Sequence, residues 1–138
     1  MFFALVLRFL HIAGASVGFG GLVAAWAILP RLPIEARGIT VRQFGKWIGI
    51  GLTVCVVSGI INASIQGPKH GDVYGTLMNI KGAAGLALFA LSVLVFHPAP
   101  ALKWFAERRR LCLSALVILG LIVIALGAAL HGHYAATP

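Results

Sequence analysis

Four long apolar runs divide the chain, and the short segments between them carry most of its charge. The runs cover about residues 2–29, 44–66, 76–96 and 111–132. Each exceeds the roughly 20 apolar residues with which a helix crosses the hydrocarbon core of a bilayer. The first ends near Pro30, whose ring interrupts a helix. The third stops at His97-Pro98-Ala99-Pro100. Short linkers predict antiparallel neighbours. No internal repeat or low-complexity segment interrupts the pattern. The expected fold is therefore all-α: an integral membrane four-helix bundle of antiparallel up-down topology, with residues 1–138 forming a single transmembrane domain. The run from Met1 to Leu29 is too long for the apolar centre of a signal peptide and has no basic segment ahead of it. It is expected to be the first span.

Composition agrees with lipid as the solvent. Of 138 residues, 60% are hydrophobic and 10% are charged, where a soluble domain is about one quarter charged. Mean hydropathy is +1.00. A water-soluble chain this short could not bury so much apolar surface.

The net charge of +8 would suggest nucleic acid in a soluble protein. Here the basic residues lie between apolar runs, so a topological role is expected and no nucleic-acid partner. Around the first linker stand Arg31, Arg37, Arg42 and Lys46 against Glu35, net +3. The third linker holds Lys103, Arg108, Arg109 and Arg110 against Glu107, again net +3. Lys69 and Asp72 cancel in the second linker, and the tail carries no Lys, Arg, Asp or Glu. Basic segments stay in the cytoplasm. The two basic linkers are expected inside, with the second linker and both termini on the outer, periplasmic side of a bacterial inner membrane. Arg8 alone opposes this assignment.

Ionisable residues within spans are costly and mark sites. His11 lies about nine residues into the first run, roughly 13 Å along its axis, and Arg8 stands one turn nearer the outer end. Gly14, Ala15 and Gly18 share the His11 face at spacings of three, four and seven. They form a notch that either a neighbouring helix or a flat cofactor would fill. Lys81 and Asn79 lie near the outer end of the third run. Ser58, Asn62 and Gln66 form a stripe near the outer end of the second, and Cys55 continues it inward. The fourth run ends in His131-Gly132-His133-Tyr134, with Gly127 and Gly120 on the His131 face. In the expected orientation these groups gather in the outer half of the bundle, with His70 in the outer linker.

Two imidazoles on facing helices can hold a haem iron axially, with basic and amide groups neutralising the propionates. His11 and His131 are the expected ligand pair, and His70, His133 and Met78 are the alternatives. Arg8, Asn62 and Lys81, with the space beside Gly14 and Gly18, would complete a haem b pocket. Copper is the competing metal, because imidazole suits it as well. Cys55 is expected to lie too deep to join His11, and both Cys55 and Cys112 are expected as packing residues. There is no CxxC or CxxCH and hence no sign of a thioredoxin motif or a covalent haem. No carboxylate is placed to serve zinc hydrolysis.

Two short motifs carry a family resemblance. Leu10-His11-Ile12, followed by a glycine-rich stretch and Leu29-Pro30-Arg31-Leu32, resembles helix one of the HemJ-type protoporphyrinogen oxidases and of the related CopD-like copper-resistance membrane proteins. Ile80-Lys81-Gly82 resembles the lysine motif of the HemJ-type family. The resemblance implies haem b with His11 as a ligand and Lys81 as the family lysine. The CopD-like side implies copper handling.

The leading expectation is a haem-b-binding protein that transfers electrons near the periplasmic face. Its partners would be other membrane redox subunits or further copies of itself, with quinone as a possible exchange partner. The alternatives are a protoporphyrinogen-oxidising enzyme, a copper-handling protein and an accessory subunit without a cofactor.

Overall fold

The computed structural model describes residues 2–66, 72–97 and 103–135. Among them there are helices and no strands: α1 (Phe2–Ile28), α2 (Ile34–Gln66), α3 (Asp72–Phe96), the short α4 (Lys103–Glu107) and α5 (Arg109–Ala135). The four long helices are each long and apolar enough to cross a membrane. Buried residues make up no more than 28% of any spanning window. Most apolar side chains therefore face outward, as lipid contact requires. Phe2, Phe9, Ile12, Trp47, Ile60 and Ile118 are examples.

Chain chemistry accounts for the first turn. After α1 a 3-10 turn covers Leu29–Arg31. Leu32 is extended, with ψ at 146°, as a residue preceding proline is driven to be. The last carbonyls of a helix lack intrahelical donors. Arg31 supplies one, its Nη1 donating to Ala27 O at 2.9 Å. Arg37 ties the turn from the other side, donating through Nε to Leu32 O at 2.8 Å and through Nη2 to Pro30 O at 3.2 Å. Two arginines read from sequence as topological charge thus also serve as turn clamps.

α2 begins at Ile34, ten residues before the apolar run that predicted it. Lipid selects only for apolar length, so hydropathy reads the spanning part. The helix itself continues wherever backbone bonds and one packed face persist. Ala36 N–H bonds Pro33 O at 3.1 Å, and Glu35 sits in the first turn, where a negative charge favours the helix dipole. Val41 is buried seven residues before Ile48 on the same face. At 33 residues the helix is about 50 Å long, longer than the ~30 Å hydrocarbon core. The third linker also contains helix: α4 passes into α5 through a turn at Arg108, whose N–H bonds Trp104 O at 3.1 Å.

α1 and α3 each contact both α2 and α5, which closes the bundle into a ring. Residue numbers fall along α2 as they rise along α1. Gly14 faces Cys55 and Gly51, Gly18 faces Gly51 and Leu52, and Gly21 faces Ile48. A Cβ on Gly51 would come within 2.5 Å of Gly18 N, so only glycine permits this approach. Small residues serve this purpose between membrane helices. Across the bundle Trp26 Nε1 donates to Ser114 Oγ at 2.9 Å, and Gly120 makes room for the Phe19 ring. The buried core runs through Leu22, Ala25, Ile48, Leu88, Leu113 and Leu116, all in the half of the bundle nearest the first turn.

Candidate functional site

The other half holds the polar groups. Hydroxyls in spanning helices are quieted locally, for example Ser58 Oγ donating to Val54 O at 2.6 Å and Ser92 Oγ to Leu88 O at 2.7 Å. An imidazole cannot satisfy itself within its own helix in this way. His11 crosses to α2, where its Nδ1 stands 2.8 Å from Cys55 O. A carbonyl only accepts, so Nδ1 carries the proton and Nε2 keeps its lone pair. Ser58, itself buried, places its Oγ 3.4 Å from the same Nδ1. The Cys55 sulfur lies alongside the ring, 3.6 Å from Nδ1 and 4.0 Å from Nε2.

The imidazole fits because Gly59 leaves space for it. A Cβ on Gly59 would stand 3.1 Å from His11 Cε1 and 3.3 Å from Nδ1. The α3–α5 pair, on the opposite side of the ring from α1 and α2, repeats the device. Lys81 of α3 lies against α5 over Gly127, where a Cβ would meet Nζ at 3.1 Å. Lys81, nine residues into α3, stands in the same half of the bundle as His11, nine residues into α1. Lys81 has no hydrogen bond or ion pair with any described residue.

Several expectations change here. The spacing argument set Cys55 too deep to join His11, yet its sulfur touches the ring. His11 lies nine residues from the start of α1 and Cys55 eleven from the end of α2, which lie at the same end of this antiparallel pair. The difference is about 3 Å of rise, which an imidazole spans easily. The notch beside Gly14 and Gly18 is filled by Gly51, Leu52 and Cys55 of α2, so those glycines pack helices and no flat ring fits against them. Arg8 is exposed, and Asn62 and Met78 are half-buried. His131 and His133 fall in the last turns of α5, but their side chains lie outside what is described, and His70 lies outside the described residues. Gly59 and Ser58 were the residues sequence reasoning passed over as partners of His11. Their sequence signal was the stripe with Cys55, Ser58 and Asn62 at helical spacing.

Family models, characterised proteins and solved structures all give no match to this chain.

Chemically, this half of the bundle offers one oriented imidazole nitrogen, one thiol and one ammonium. A histidine that gives its other ring N–H to a backbone carbonyl is in the form in which metal-binding histidines are held. His11 therefore fits as a ligand to haem iron or copper through Nε2. Among the described residues no three His, Cys, Asp or Glu side chains group around a common point.

Proposed function

We propose that this chain is a multi-pass protein of the bacterial inner membrane that binds haem b through His11 and passes electrons near the periplasmic face, as a subunit or partner of a membrane redox complex. The observation that supports this best is the oriented His11 ring, with Nδ1 anchored on Cys55 O and Nε2 left without the proton, in the same half of the bundle as the Lys81 ammonium over Gly127. His131, one turn beyond Gly127, is the proposed second ligand. Haem would supply one-electron chemistry at its iron. Lys81 would hold a propionate or the oxygen of a quinone head group, and Ser58 and Gly59 would keep the imidazole in place. In this proposal the helices alternate up and down, with the arginine-rich turns in the cytoplasm and both termini outside.

Copper handling is the second proposal, and the Cys55 sulfur is the specific observation in its favour. The sulfur lies alongside the ring, 3.6 Å from Nδ1 and 4.0 Å from Nε2, so in this reading the thiol turns toward the Nε2 edge to share one ion with the imidazole.

A reduced-minus-oxidised spectrum and a metal analysis of the purified protein test both. With haem, the b-type signal is expected to disappear in His11→Ala and to persist in Cys55→Ser. With copper, no b-type signal develops on haem supply, and bound copper falls in both variants. An unchanged signal in His11→Ala would exclude His11 as a haem ligand.

A further inference from the structure

The basic end of the bundle carries a feature that the polar cluster does not use. Between α2 and α3 runs an open groove of about 280 Å³. Its mouth is cationic: Arg42 and Lys46 stand one turn apart on α2, and His97 follows the end of α3. Its floor is apolar, formed by Leu52, Phe89 and Val93. Gly45 and Gly49 remove the side chains that would otherwise close it on the α2 side. Gly45 is filled by Phe96 (a Cβ there would meet the Phe96 Cβ at 2.9 Å), but Gly49 opens on free space, with nothing within 4 Å of an added Cβ.

Arg42 and Lys46 make no hydrogen bond or ion pair with any described residue, and no carboxylate lines the groove. Lys46 lies 20 residues before the end of α2, about the length of one bilayer crossing. The two cations therefore stand where the lipid head groups begin, and the apolar trough runs from them into the hydrocarbon.

We infer that this groove binds an acidic glycerophospholipid, with the phosphate between Arg42 and Lys46 and one acyl chain along Gly49, Leu52 and Phe89. A free phosphate would have no use for the trough. A zwitterionic lipid would bring its own ammonium against two cations. Basic pockets between spanning helices recognise acidic head groups in this way.

The test uses the full chain in detergent, with dissociation constants read by native mass spectrometry. The ligands are dioleoyl phosphatidylglycerol, dioleoyl phosphatidylcholine and soluble glycerol phosphate. Phosphatidylglycerol is expected to bind roughly tenfold or more tighter than phosphatidylcholine. R42Q/K46Q should abolish that preference. G49L should weaken phosphatidylglycerol binding about as much while keeping the thermal midpoint, since its side chain enters the groove and not the protein. R108Q/R110Q, which removes two charges elsewhere at the same end, should keep the preference. Equal binding of the two lipids would overturn the proposal, as would binding unaffected by G49L. So would a loss of preference in R108Q/R110Q equal to that in R42Q/K46Q, which would mean a diffuse field. Competition by glycerol phosphate at the same concentration would mean an anion site without a lipid chain.

Discussion

The two halves of the bundle solve opposite problems with the same helices. Near the first turn, Leu22, Ile48, Leu113 and Leu116 are almost wholly buried and belong to one core cluster drawn from α1, α2 and α5. Toward the other end, the interior is glycine, serine, cysteine, histidine and lysine, and fewer large apolar side chains are buried there. One end is held by the shape of its leucine and isoleucine core, and the other by directed contacts, with the His11 ring and the Lys81 ammonium lodged over Gly59 and Gly127. Lipid tails are as apolar as leucine, so burial alone drives little association inside a membrane. Close packing at one end supplies the contact energy that lets the other end carry polar groups.

The largest test of this contrast is Ile48→Ala. Ile48 is 1% exposed and closes over Gly21, so its truncation leaves a cavity. Reversible unfolding in micelles should show a loss of about 3 kcal/mol. A loss below about 1 kcal/mol would mean that this end does not hold the bundle together.

A smaller effect is expected at the polar end. Gly59→Val should press on the His11 ring, lift Nδ1 from Cys55 O and cost about 1 kcal/mol. The contrast sharpens in a double-mutant cycle. With Gly59→Val already present, His11→Ala should cost less than it does alone, because the bond is already lost. Strict additivity would show that the ring does not depend on the space above Gly59.

The smallest effect belongs to the side-chain bond that links α1 to α5 at the packed end. Trp26→Phe removes the donor to Ser114 Oγ. A typical interhelical bond in a membrane protein is worth about 0.6 kcal/mol, and a shift of that size in the same unfolding assay is expected. A loss rivalling that of Ile48→Ala would mean that directed bonds and not shape hold this end.

Hydropathy alone determined that there are four membrane-spanning helices, because the thickness of lipid demands long apolar runs and punishes anything else. It also marked His11 and Lys81, since a costly side chain in a span is conspicuous whatever surrounds it. The rest required the tertiary structure. Which glycine faces which helix, the levelling of Cys55 with His11, the parking of Lys81 over Gly127 and the extra turns of α2 all depend on helix rotation and register. Those are set by how small residues let two backbones approach, as Gly51 does against Gly18. That fit is a property of paired surfaces, which a pattern along one strand of sequence does not contain.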